Sequence, residues 1–168
     1  MTTLPTVEYF EQDKFTELIS KIHKEINKTK KEIYFKEIAK DIIKSTDVLD
    51  SVREGPSVNE IQGVPFDLIG LKNNDLYIIE LKGSDQNLNF PSEVQLARME
   101  KVINQAKEIN IELKPLLLQI NLQYRFYCIW QSDFLVNRFK SINKKLGMAR
   151  KIEPIIEWIK ERFPNVKE

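Results

Sequence analysis

Gly63-Val-Pro-Phe-Asp67-Leu-Ile-Gly-Leu-Lys72-Asn-Asn-Asp75-Leu-Tyr-Ile-Ile-Glu80-Leu-Lys82 is the stretch that decides how this chain folds. Asn73-Asn74 suits a two-residue type I′ turn, and the runs on either side are rich in Val, Ile and Leu. The stretch reads as a β-hairpin. Positions pair symmetrically about such a turn, so Lys72 faces Asp75 and Asp67 lies directly opposite Glu80, with Cβ atoms roughly 4.5–5.5 Å apart. Alternation along a strand puts Leu76, Ile78, Glu80 and Lys82 on one face, and Tyr77, Ile79 and Leu81 on the other.

Two carboxylates facing each other in an apolar hairpin repel, and water cannot fully screen them. Something must compensate. A hard divalent cation would, because Mg²⁺ binds one or two carboxylates together with waters and phosphate oxygens. Lys82 could then position an attacking water or stabilise charge developing on a phosphate. The competing reading makes Glu80 and Lys82 an exposed charge pair on a half-solvated strand. Glu112-Leu-Lys114 supplies an internal control. It repeats the tripeptide without an opposing Asp, and with Pro115 immediately after, so it reads as a solvated junction between helix and strand.

Pro65-Phe-Asp67 followed by Glu80-Leu-Lys82 resembles the motif of the PD-(D/E)xK nuclease superfamily, with Phe66 inserted between the proline and the aspartate. The resemblance implies a restriction-endonuclease-like α/β fold, a mixed β-sheet flanked by helices, here with extra C-terminal helices. It implies Mg²⁺-dependent cleavage of DNA, with Mn²⁺ able to substitute. Asp67 and Glu80 would hold the metal, and Lys82 would sit beside the attacking water. The order of elements is similar to that of archaeal Holliday-junction resolvases, in which an acid on the helix before the hairpin often joins the metal site. Glu37 is the candidate here, ahead of Glu32, although its neighbours Tyr34 and Asp41 also fit it for a solvent-facing ion pair. Arg53-Glu-Gly-Pro-Ser57 resembles the resolvase loop that brings a serine near the scissile phosphate, which would make Ser57 a DNA contact. An ordinary turn explains the same residues. A glutamine on the helix after the Glu-x-Lys strand is matched by Gln95. Arg98 lies three residues on and nearly on the same side, within reach of a backbone phosphate.

Composition sets further bounds. At 168 residues and 42% hydrophobic content the chain suits one domain with a substantial core. Its single cysteine, Cys128, excludes disulfide frameworks and Cys-ligated metal clusters, and lies in a strand-like run that would bury it. No signal peptide or membrane-length apolar run is present, which points to a cytoplasmic protein. Lys and Arg total 26 against 25 Asp and Glu, so net charge does not advertise nucleic-acid binding. Basic residues nevertheless cluster in Lys21–Lys24, Lys28–Lys31, Lys36 and Lys40, compatible with a basic rim around an acidic floor, or with solvated helix faces.

Periodicity predicts an N-terminal helix over 11–29 and a second through Ile33–Ile43, then a strand from Asp47 to Val52 before the hairpin. A polar loop follows Lys82, in which Phe90 looks exposed enough to touch DNA. Ser92 is the expected N-cap of a helix reaching about Asn110. Strands at Pro115–Ile120 and Tyr124–Trp130 come next. Ser132 is expected to cap a helix running to about Lys145, and a last amphipathic helix follows Pro154. Tyr124, Phe126 and Trp130 share strand parity and fit either core or a base-stacking platform. Ile155, Ile156 and Ile159 could dock on the chain's own core or pack a homodimer, the symmetric arrangement a resolvase would need.

The expectation is one nuclease-like domain over residues 1–168, with its core at 32–130 and a C-terminal helical segment at 132–163. Its substrate would be branched or duplex DNA, with no membrane partner. A sequence-specific restriction or homing endonuclease, and a non-catalytic nucleic-acid-binding module, are the alternatives.

Overall fold

A computed structural model of the protein describes residues 4–11, 13–57, 59–84, 89–147 and 152–164. Among these, strands β1 (Thr6–Tyr9), β2 (Ser51–Glu54), β3 (Leu68–Lys72), β4 (Asp75–Ser84), β5 (Leu113–Asn121) and β6 (Phe126–Trp130) form one sheet in the order β1-β6-β5-β4-β3-β2. Only β4 and β5 run parallel, joined by a helical crossover, so the sheet is mixed. Helices α1 (Thr16–Lys24) and α2 (Lys28–Ser45) cover one face. The other is covered by α3 (Glu93–Glu108), α4 (Ser132–Phe139) and α5 (Glu153–Arg162). No helix among the described residues is long and apolar enough to cross a membrane.

The hairpin forms around Asn73 and Asn74, whose φ angles of 51° and 72° are those of a type I′ turn. Register follows from it, running from Lys72↔Asp75 through Ile69↔Ile78 to Leu68↔Ile79. Alternation then sorts β4 between two cores. Leu76 and Ile78 pack with α3 and α5, while Ile79 and Leu81 pack with Ile38, Ala39 and Ile42 of α2. Where β4 outruns β3, Gly83 lets α2 approach: a Cβ there would overlap the Phe35 ring.

Several boundaries differ from those the sequence predicts. Asn27 breaks the N-terminal helical region by accepting a hydrogen bond from Lys30 N as the N-cap of α2. Asp47 takes a φ of 59° and turns the chain, so β2 begins only at Ser51. β6 starts at Phe126 because Arg125, at φ 57°, completes a turn. α4 stops at Phe139, where the Ser141 hydroxyl bonds back to Arg138 O, and a separate 3-10 helix spans Lys144–Gly147. Ser132 is the first helical residue rather than the N-cap, and its hydroxyl donates to Pro115 O instead. β1 has no counterpart among the predicted strands. Ile155, Ile156 and Ile159 dock on the chain's own core, 1%, 8% and 1% exposed.

Candidate active site at the fork of β3 and β4

The fork is built by a one-residue slip. Asp67 was expected to face Glu80 directly across the ladder, but regular pairing ends at Leu68↔Ile79, and Asp67 N donates 2.8 Å to Ile79 O. Two residues of one strand thus meet one of the other, the pattern of a bulge. Continued register would have given Leu81 N the carbonyl of Phe66. It donates instead to Asp67 Oδ2 at 2.9 Å. The Asp67 side chain therefore takes a main-chain place in the sheet, which holds its second oxygen toward Glu80. Phe66, 3% exposed, and the bond from Gly55 N to Asp67 O fix the backbone on the other side.

Glu80 is 5% exposed, one of the few buried charged or polar residues. Burial pushes its carboxyl up to about 9, helped by the adjacent Asp67 charge and a hydrogen bond to Asp67. Lys82 Nζ, 3.7 Å from Glu80 Oε2, acts in the opposite direction without prevailing. At neutral pH Glu80 thus keeps its proton beside Asp67, and the Lys82 contact is a long one. Lys82 keeps 24% of its side chain exposed, so its ammonium reaches both the pair and solvent. Asp67, Glu80 and Lys82 are accordingly brought together, as the sequence predicts.

Asp67 has a structural duty as well as a chemical one. Asp67→Ala, which leaves Leu81 N without its acceptor, is expected to cost about 1–3 kcal/mol, whereas Asp67→Asn keeps an acceptor oxygen and should cost less. Urea unfolding of both variants checks this, and equal costs would show that the hydrogen bond contributes nothing.

The other candidates lie apart from the trio or are engaged elsewhere. Glu37 is exposed on α2, on the i, i+4 stripe of Ile33 and Asp41 that faces away from buried Ile38 and Ile42. Among the described residues no three His, Cys, Asp or Glu side chains gather into one site, so Glu37 does not join the pair. Gln95 closes a capping box at the start of α3: its Oε1 accepts from Ser92 N while Ser92 Oγ accepts from Gln95 N. Arg98 is partly buried, and its Nε has no hydrogen-bond partner. Ser57 Oγ accepts from Glu60 N, and Ser57 N donates to Glu60 Oε1. That bond and the nearby Arg162 guanidinium hold the Glu60 carboxyl below its ordinary value. Arg162 lies 3.5 Å from Glu60, and Arg53 stacks over the Phe163 ring, so the end of α5 clamps the loop leading to Asp67.

Phe90 is not the exposed loop residue that its position suggests. It is half-buried edge-on against Trp130 and Phe134, at centroid distances of 6.2 and 5.9 Å. Trp130 belongs to this cluster, Phe126 packs edge-on against Tyr9, and Tyr124 is 60% exposed in the turn before β6. Cys128 is buried, and desolvation pushes its thiol up.

Gln119 escaped the sequence reading. It pairs with Lys82 in the parallel ladder and is 4% exposed. Its amide donates 2.7 Å to Asn89 O and accepts 2.6 Å from Trp130 Nε1, anchoring the chain where it returns after Lys82. A lone amide inside Pro115-Leu-Leu-Leu-Gln-Ile was the available signal, since a buried polar group in an apolar strand needs partners. A cavity of about 800 Å³ lies at the other end of the parallel pair, among Tyr77, Lys107, Leu113 and Gln131, remote from the acids. Comparison with protein-family models finds no match for this chain, and comparison with curated proteins finds none either.

Proposed function

We propose that this protein is a Mg²⁺-dependent DNA endonuclease of the restriction-endonuclease-like kind, structure-selective in the manner of Holliday-junction resolvases. One observation carries the reading: a carboxylate pair, one member 5% exposed, touches a lysine at an open sheet fork. Such a pair holds two negative charges only with a cation present, and its hard oxygen donors fit Mg²⁺ or Mn²⁺. Asp67 and Glu80 would hold the ion, which supplies polarisation of a phosphate oxygen and a bound water of lowered pKa. Lys82 balances charge developing on the phosphate and orients the attacking water by hydrogen bonding. The hydrogen bond from Leu81 N keeps Asp67 oriented without neutralising it. Phe66 and the α5 clamp keep the loop before Asp67 in place.

The test is a gel assay of four-way junction, flap and linear duplex with and without Mg²⁺. Wild-type protein should cut only with metal and should prefer the junction. Lys82→Ala should lose roughly 10²–10³ in kcat with little change in KM, the loss typical of a missing transition-state donor. Cutting of linear sites at fixed sequences would favour a restriction or homing enzyme. Undiminished metal-dependent cutting by Lys82→Ala and Glu80→Gln would remove the assignment.

A further inference from the structure

We propose that Lys28 and Lys31, on the first two turns of α2, form a phosphate-backbone track that carries nucleic acid to the fork. The inference rests on the nuclease reading and adds the surface by which the substrate is held. It starts from Phe35, whose ring packs where a side chain on Gly83 would otherwise stand, one residue beyond Lys82. This contact places the N-terminal half of α2 at the end of β4 that carries the fork.

Helical geometry then selects among the lysines. Positions 28 and 31 precede 35 by seven and four residues and lie within about 40° of it around the axis, whereas position 30 lies roughly 140° away. Lys28 and Lys31 thus extend the Phe35 stripe past the sheet end, and Lys30 faces elsewhere. None of the three forms an ion pair among the described residues, unlike Lys36 and Lys40 farther along, which both reach Glu54 at 3.8 and 3.2 Å. The one acid at the helix joint, Glu25, is engaged by the backbone N–H groups of Ile26 and Asn27. The result is a pair of lysines extending past the sheet end from the face opposite Glu80 and Lys82, with Glu32 one turn after Lys28 as the nearest acid on α2, on a chain whose net charge is only +1. A polyanion laid across the sheet end complements these charges.

Counterion release gives the signature, because each phosphate neutralised contributes about −0.9 to the slope of log affinity against log salt. The experiment is fluorescence anisotropy with labelled duplex and four-way junction in chelator-containing buffer, for wild type, Lys28→Ala, Lys31→Ala, the double variant and Lys30→Ala. Each of the first two substitutions should reduce the slope by about one, and Lys30→Ala should leave it unchanged. For the double variant, the loss of affinity between about 50 and 200 mM salt should shrink roughly tenfold. Equal slopes for all five proteins would overturn the track, even if the wild type cuts DNA. A slope lowered only by Lys28→Ala and Lys31→Ala in a protein that cuts nothing would keep the track and end the nuclease reading. Absence of DNA binding by the wild type would overturn both. Binding to anionic phospholipid vesicles that fails in the double variant, with DNA slopes unchanged, would assign the stripe to a membrane and overturn the proposal.

Discussion

Glu80→Gln is expected to be more stable than the wild-type chain in metal-free buffer at pH 8, by about 2–4 kcal/mol, and to match it near pH 5. The sign follows from proton binding. Glu80 has its carboxyl raised from 4.5 to about 9 in the folded state, so between those values the native chain holds a proton that the unfolded chain has released. Stability therefore falls as pH rises through this window, by up to about 1.4 kcal/mol per unit, and is fully present only below the unfolded value. A glutamine amide donates to Asp67 much as the protonated acid does and never ionises, so the variant escapes the loss. For a chain of this size the gap corresponds to about 5–15 °C in Tm. Parallel thermal melts from pH 5 to 9 would reveal it. Parallel curves for the two proteins would mean that Glu80 is ionised throughout and that the fork is wetter than its burial indicates. Because the same substitution should abolish cutting, stability and activity would move in opposite directions, as at sites where strain serves function.

The register of the hairpin was legible because a two-residue turn dictates it: once Asn73-Asn74 takes positive φ, every pairing down to Leu68↔Ile79 follows. The Ser92 cap was legible for the same local reason. The exact relation of Asp67 to Glu80 was not. Nothing in the Phe66-Asp67-Leu68 sequence marks where regular pairing stops, and the slip depends on the burial of Phe66 and on Gly55, which arrives from elsewhere in the chain. β1 stayed hidden because all four of its residues are exposed, leaving no apolar alternation to detect. Phe90 misled for the converse reason. Its polar loop neighbours suggested exposure, but Trp130 and Phe134, distant in sequence, cover it. The acid pair itself was legible through pairing symmetry, whereas Gln119 required knowledge that β5 lies parallel to β4 with Gln119 beside Lys82.

Magnesium affinity should rise about tenfold per pH unit from pH 6 to 8, and each ion bound should release close to one proton. The cause is the same buried acid, since a carboxylate must be deprotonated to act as a ligand, and Glu80 is protonated below about 9. Two pH units would therefore change affinity by about a hundredfold, with the rise flattening as pH approaches 9. Calorimetric titration in two buffers of different ionisation enthalpy counts the protons directly, and the count should vanish in Glu80→Gln. Affinity that is flat across this range would show that Asp67 alone meets the ion, leaving Glu80 as a hydrogen-bond donor to it. A steep dependence would instead tie substrate cutting to alkaline conditions through metal loading, so raising Mg²⁺ at pH 6 should restore activity that raising DNA does not.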